Sequence, residues 1–122
     1  MWRRISDNVS DTAGRIAPRH VFEARIHIRI QAGEQNVVTE GWARDMSESG
    51  LGAFVAQELT VGELVMLEIP LTSSKKLMIL AKVSRSLGTQ YGFQFTALSA
   101  EQRAHIRLAV KGQPAIPFPR IK

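Results

Sequence analysis

The chain contains no cysteine among its 122 residues. Disulfides, thiolate zinc sites and thiol nucleophiles are therefore excluded, and this composition favours a reducing cytoplasm. Hydrophobic runs are also short, because no stretch approaches the 18 apolar residues of a membrane span. The polar N-terminal stretch is not followed by the apolar segment of a signal peptide. We therefore expect a cytoplasmic protein with no membrane span.

Acidic residues are in the minority: 11 Asp and Glu stand against 16 Lys and Arg, which gives a net charge of +5. This balance favours an anionic partner, such as a nucleotide, a nucleic acid or an acidic surface. Many small proteins are equally basic and bind no anion, so the positions of the charged residues, and not the net charge, must show whether an anion binds.

An alternation of apolar and polar residues, with a period of two, runs through most of the chain. Six segments show it: residues 22–31, 37–44, 51–55, 65–71, 77–83 and 91–95. Glycine-containing turns separate several of them, and no helical pattern lies between them. This organisation predicts an antiparallel sheet that is folded into a barrel or a sandwich, not a βαβ sheet.

One helix is predicted after the strands. Ser99 and Gln102 have the spacing of a capping box, and the helical pattern ends near Gly112. Ile106 and Val110 share one side, so the helix is expected to lie on the barrel. The stretch that follows contains three prolines and is expected to be an extended tail.

The segment DMSESGLG, residues 45–52, holds more hydrogen-bonding groups than an ordinary turn needs. Asp45, Ser47 and Gly50 are spaced as D-x-S-x-x-G. An ionised Asp suits the paired N1 and N2 donors of guanine, a Ser hydroxyl suits phosphate or base, and Gly permits close approach to the backbone. An Asx-turn with a glycine bend would have the same composition, so a purely structural turn stays open.

A second element, RIAPR, places Arg15 and Arg19 four residues apart before the first strand. Pro18 excludes an ordinary helix, so the two guanidinium groups are expected on an irregular arm. Arginine matches phosphate oxygens and the O6/N7 edge of guanine with two parallel hydrogen bonds. A solvated tail is the alternative interpretation.

Together, and on this pattern of strands, the two elements resemble the PilZ domain family. The resemblance covers residues 15–111 and includes VGELVMLEIPL, AKVSRS and YGFQFTAL. It implies a six-stranded antiparallel β-barrel, all-β apart from one capping C-terminal helix. Residues 1–14 would be a flexible tail, and residues 112–122 would be a proline-rich tail.

The resemblance also implies a ligand, the bacterial second messenger cyclic di-GMP. The residues that match the family's motifs, and so form the expected ligand site, are Arg15, Arg19, Asp45, Ser47 and Gly50. Arg85, at the end of the fifth strand, is a possible addition. Gly14 stands where many relatives carry a further arginine, which leaves open whether one nucleotide binds or a stacked pair.

The resulting prediction is a single-domain sensor that relays the cyclic di-GMP level to an unidentified effector protein by ordering its N-terminal arginine arm. No enzyme activity, metal or cofactor is expected, because His20, His27 and His105 are scattered and Ser47 has no histidine partner by sequence. Two alternatives stay open. One is a PilZ-like protein adaptor that works without nucleotide, and the less favoured one is a basic barrel that binds nucleic acid.

The nucleic-acid alternative would use aromatic side chains as stacking platforms. Four aromatic residues lie in the predicted strands: Phe22, Trp42, Phe93 and Phe95. Their regular alternation with polar residues favours positions in the core over a stacking surface, so nucleic acid is the less favoured partner.

Overall fold

A computed structural model of the chain describes residues 18–32 and 34–115. The elements within these ranges are β1 (His20–Ala32), β2 (Gln35–Met46), β3 (Gly50–Val55), β4 (Leu64–Pro70), β5 (Lys76–Leu87), β6 (Gln90–Phe95) and α1 (Ala100–Val110). All neighbouring strands are antiparallel, and the order β1-β2-β3-β6-β5-β4 closes because β4 pairs with β1. The predicted six-stranded barrel with one C-terminal helix is confirmed.

The core consists of the apolar residues that alternate along the strands. In β1, Ile26 and Ile28 are fully buried, whereas Arg25 and Arg29 lie on the exposed face. The largest fully buried side chains are Ile26, Ile28, Met46, Leu51, Val55, Val65, Leu67, Ile69, Ile79, Val83 and Ile106. Burial of each such side chain contributes about 1.5–3 kcal/mol, so this interior is the main source of stability.

Helix α1 begins as the sequence predicts. The Ser99 hydroxyl accepts a hydrogen bond from the Gln102 amide at 3.0 Å, and the Ser99 amide donates to the Gln102 side chain at 3.1 Å. The Gln102 side chain also donates to the carbonyl of Met78 in β5 at 3.0 Å. Ile106 and Val110 are buried, so they fix the helix on the barrel.

The prediction for Trp42 is wrong, because its side chain is 42% exposed. Its neighbours Gly41 and Ala43 are the buried residues of this part of β2, so the strand turns Trp42 outward. The interior is crowded there: a Cβ on Gly41 would lie 3.0 Å from the Phe54 carbonyl oxygen. The other three aromatic residues lie in or against the core: Phe22, Phe93 and Phe95.

The first residues of the predicted C-terminal tail are attached to the start of β1. The Val21 amide donates to the Pro114 carbonyl at 2.9 Å, and Ala115 forms a β-bridge with His20. Residues 1–17, which include Arg15, and residues 116–122 lie outside the described ranges. In the described part of the chain, no helix is long and apolar enough to cross a membrane, and no acidic and histidine residues cluster as metal ligands.

Candidate functional site

Asp45 lies within strand β2 and not in the loop that follows it. It pairs with Gly52 of β3, and the register shifts between Ala43 and Asp45, so one extra residue, Arg44, lies between the two pairs. Such a bulge changes the direction in which the next side chain points. Without it, Asp45 would share the inward face of Ala43; with it, the carboxylate lies at the barrel surface.

The carboxylate of Asp45 has unused hydrogen-bonding capacity. Its Oδ1 is buried and accepts no hydrogen bond from the described residues. Arg19 pairs with this carboxylate: its Nε lies 3.2 Å from Oδ1, close enough for an ion pair but not aligned as a hydrogen bond. Buried acceptors are rarely left in this state, because the lost hydrogen bond costs about 1–3 kcal/mol.

Arg85 reaches the same surface through a second bulge. The register of β5 against β6 shifts between Val83 and Arg85, and Arg85 then pairs with Gly92. Val83 is buried inside the barrel, whereas Arg85 is exposed. Two bulges on separate strands therefore place an acid and a base on one face.

A pair of glycines makes room for these two side chains. Gly52 and Gly92 are paired with each other across β3 and β6. A Cβ on Gly52 would lie 2.9 Å from Oδ1 of Asp45, and a Cβ on Gly92 would lie 2.9 Å from Nε of Arg85. Because neither glycine has a side chain, Asp45 and Arg85 lie directly over the strands.

These residues line an open cleft of about 330 Å³, which is within the range of small-molecule sites. Its wall includes Arg44, whose guanidinium carbon lies 5.1 Å above the ring centroid of Phe54. We call the surface around Asp45 that carries Arg44, Phe54 and Arg85 the cleft. It combines the Asp45 carboxylate, which can accept hydrogen bonds, with the guanidinium groups of Arg44 and Arg85, which can bind anions.

Ser47 and Gly50 shape the turn beside the cleft. The Ser47 amide donates to the Gly50 carbonyl at 2.9 Å, and the Ser47 hydroxyl accepts from the Ser49 amide at 3.1 Å. Ser47 is only 3% exposed. A Cβ on Gly50 would lie 2.2 Å from the Phe93 carbonyl oxygen, so only glycine lets β3 approach β6 here. Ser47 lies in the loop that follows β2, here called loop 47–49, and Gly50 closes this loop as the first residue of β3.

The structure thus brings together three of the predicted residues, Arg19, Asp45 and Arg85, while Arg15 lies outside the described ranges. Sequence reasoning missed Gly52 and Gly92, which make room for the side chains, and the pair of Arg44 and Phe54. The segment 45–52 did contain a second glycine, but its role depends on which strand lies opposite. The sequence of β3 alone does not indicate that Gly92 of β6 lies opposite Gly52.

Comparisons with known proteins agree with this architecture. The family model of the PilZ domain matches residues 14–112. A comparison with curated protein sequences finds no match. Solved structures do match, and those described next have sequence identities of 13% to 18%, so these likenesses concern the fold.

One similar structure is the PilZ domain of CeSA from a cellulose-synthesizing bacterium: 17% identity, TM-score 0.60, 77% of this chain and 95% of that one covered. The PilZ domain of Escherichia coli YcgR with cyclic di-GMP has 13% identity and TM-score 0.65, with 83% and 92% covered. The Bacillus subtilis inhibitor of motility, MotI/DgrA, has 18% identity and TM-score 0.59, with 81% and 51% covered. Because the family model matches residues 14–112, which include the whole barrel and the helix, this chain belongs to the PilZ domain family.

Proposed function

We propose that the chain is a cyclic di-GMP receptor that acts as a regulatory module in the cytoplasm and not as an enzyme. One observation carries the proposal: Oδ1 of Asp45 is a buried acceptor without a hydrogen bond from the described residues, and it borders a cleft with arginines on its walls. Guanine supplies the missing donors through N1–H and N2–H. The family, and the YcgR PilZ domain whose structure contains cyclic di-GMP, support this choice of ligand.

The cleft fits the remaining parts of such a ligand. Cyclic di-GMP carries two phosphates, and Arg44 and Arg85 provide guanidinium groups on the cleft walls. The Arg44 guanidinium lies over the Phe54 ring, 5.1 Å from its centroid, and this contact restricts its motion before a ligand arrives. Ser47 and Gly50 serve the site through the loop that follows Asp45, and they stay in the predicted ligand set.

Arg19 changes partner in this scheme. Its guanidinium pairs with Asp45 at 3.2 Å and therefore stands where the guanine edge would bind. When guanine takes the carboxylate, Arg19 is released to a phosphate or to the guanine O6/N7 edge. Arg15, four residues earlier in the chain, would join it and draw the arm over the ligand. The ordered arm then presents a new surface to an effector protein.

A second candidate is a protein adaptor that works without nucleotide. Its support is a group of apolar side chains on the outer face of β4 and β5, where Met66 is paired with Leu80 and Met78 lies two residues away. Met78 is 44% exposed and Leu80 is 41% exposed. Exposed apolar groups of this kind are typical of protein contacts. This surface is separate from the cleft, so titration with nucleotide separates the two candidates.

Calorimetric titration with cyclic di-GMP, with GTP as the competing guanine nucleotide, tests the proposal. Loss of a hydrogen bond to a charged group costs about 1.5–3 kcal/mol, so Asp45→Asn and Arg19→Ala should each weaken binding about tenfold to a hundredfold. Arg25→Ala is the matched control: Arg25 is exposed on β1 and pairs only loosely with Glu40, at 4.0 Å. Its effect should stay below about fivefold, as for surface ion pairs.

The outcomes separate the candidate functions. If titration of the wild-type protein with cyclic di-GMP gives no heat of binding, the nucleotide-independent adaptor is favoured. Equal affinity for GTP, or binding to unrelated nucleic acids that falls steeply with salt, would contradict a specific cyclic di-GMP site.

A further inference from the structure

The loop that follows Asp45 is tied to the C-terminal helix by one acidic side chain, Glu48. Its Oε2 accepts a hydrogen bond from Nε of Arg107 at 2.8 Å, and its Oε1 lies 3.8 Å from Nε of Arg103. Arg103 and Arg107 are one helical turn apart, so both project from one side of α1 toward the loop. Two cations therefore hold one carboxylate.

Helix α1 is a firm support for this contact. Ile106, between the two arginines, is fully buried in the core, and Val110 is 8% exposed. Gln102 fixes the start of the helix to β5. A loop fixed to this helix is therefore fixed to the barrel.

The backbone of loop 47–49 contacts the barrel at its far end, where the Phe95 amide of β6 donates to the Ser49 carbonyl at 2.9 Å. The loop's other side-chain hydrogen bonds among the described residues join Ser47 to Ser49 within the loop itself. Glu48 is the residue of this loop whose side chain reaches another element, and it lies three residues after Asp45. Movement of the loop would therefore displace the end of β2, where Asp45 lies.

We propose that Glu48 is a positioning residue of the cyclic di-GMP site: held by Arg103 and Arg107, it fixes loop 47–49 and with it the carboxylate of Asp45. The proposal rests on the proposed function. Glu48 does not contact the ligand; it acts through the loop.

Electrostatics alone predicts the opposite effect, which makes the role testable. Glu48 places a negative charge near a site for an anionic ligand, so its neutralisation should strengthen binding if charge is all that matters. Neutralisation would also release two guanidinium groups to attract phosphate. A positioning role predicts weaker binding in spite of this gain.

The experiment uses the full chain and three variants: Glu48→Gln, the double variant Glu48→Gln/Arg107→Gln, and Glu40→Gln as the matched control for charge. Glu40 is an exposed acid on the same strand as Asp45 and pairs with Arg25 and His27. Cyclic di-GMP should bind Glu48→Gln about tenfold more weakly, and Glu40→Gln as well as or slightly better than wild type. The double variant restores the wild-type net charge and should stay as weak as Glu48→Gln.

Amide hydrogen exchange without ligand gives the second readout. The Ser47 amide donates to the Gly50 carbonyl, so its exchange reports directly on loop closure. It should be faster in Glu48→Gln than in wild type and unchanged in Glu40→Gln. Thermal unfolding of each variant verifies that the barrel is intact.

Several results would overturn the proposal. They are tighter or unchanged binding by Glu48→Gln, recovery of wild-type affinity in the double variant, and unchanged exchange at Ser47. Failure of the wild-type protein to bind cyclic di-GMP would instead overturn the proposed function. In that case the exchange experiment still decides whether Glu48 holds the loop.

Discussion

The glycine at position 52 offers a test of the site that does not change any polar group. In Gly52→Ala, the new Cβ would lie 2.9 Å from Oδ1, 3.0 Å from Oδ2 and 3.2 Å from Cγ of Asp45. The carboxylate must rotate away, because the strand backbone is held by pairing on both sides. Loss of the proposed hydrogen bonds between Asp45 and guanine should cost about 1.5–3 kcal/mol, a tenfold to hundredfold loss of affinity.

The fold should tolerate this change. Alanine in a strand is favoured over glycine by roughly 0.5–1 kcal/mol, which partly offsets the cost of moving Asp45. Thermal unfolding should therefore show a small change while calorimetric titration with cyclic di-GMP shows a large one. A parallel loss of stability and affinity would mean that the substitution disturbs the barrel and not the site.

A double-mutant cycle shows whether the effect passes through Asp45. Asp45→Ala removes the carboxylate that the new methyl group would contact, so Gly52→Ala should cost nothing further in that background. Wild-type affinity in the single variant, or additive losses in the double variant, would refute the reasoning.

Two further predictions concern stability. Ser99→Ala removes the side-chain half of the capping box and should lower the free energy of unfolding by about 0.5–2 kcal/mol in urea denaturation, whereas Ser86→Ala, at an exposed position of β5, should have little effect. The pKa of Glu68 is lowered by its hydrogen bond with Lys76 and by the nearby charges of Lys76, His27 and Arg29. The stabilising effect of ionised Glu68 is therefore fully present above the pKa that its carboxyl has in the unfolded chain, and it is lost as pH falls through the lowered pKa of the folded protein. Glu68→Gln should accordingly be less stable than wild type at neutral pH and equal to it in strong acid. A difference in the free energy of unfolding that stays constant at all pH values would contradict this.

The barrel could be predicted because its strands alternate so regularly. Ile26 and Ile28 are buried and Arg25 and Arg29 are exposed, as a period of two requires. The capping box was equally readable, because it depends on two residues three positions apart. Patterns of this kind depend only on residues that are close in the sequence, so they can be recognised without knowledge of the tertiary fold.

The cleft could be predicted only in part. The D-x-S-x-x-G spacing indicated Asp45, but strict alternation would have placed that residue inside the barrel with Ala43. The bulge that turns it outward adds one residue to one strand of a pair, and nothing in β2 alone indicates it. Trp42 was mistaken for a core residue because its strand neighbours, a glycine and an alanine, give a weak hydrophobic pattern.

The β-bridge between His20 and Ala115 has a practical consequence for engineering. It brings the entry and the exit of the barrel side by side, one residue from Arg19. A domain whose ends meet in this way can be inserted into a surface turn of a host protein or circularly permuted. Such a fusion also tests the proposed function: because the junction adjoins Arg19, the host's activity should respond to cyclic di-GMP.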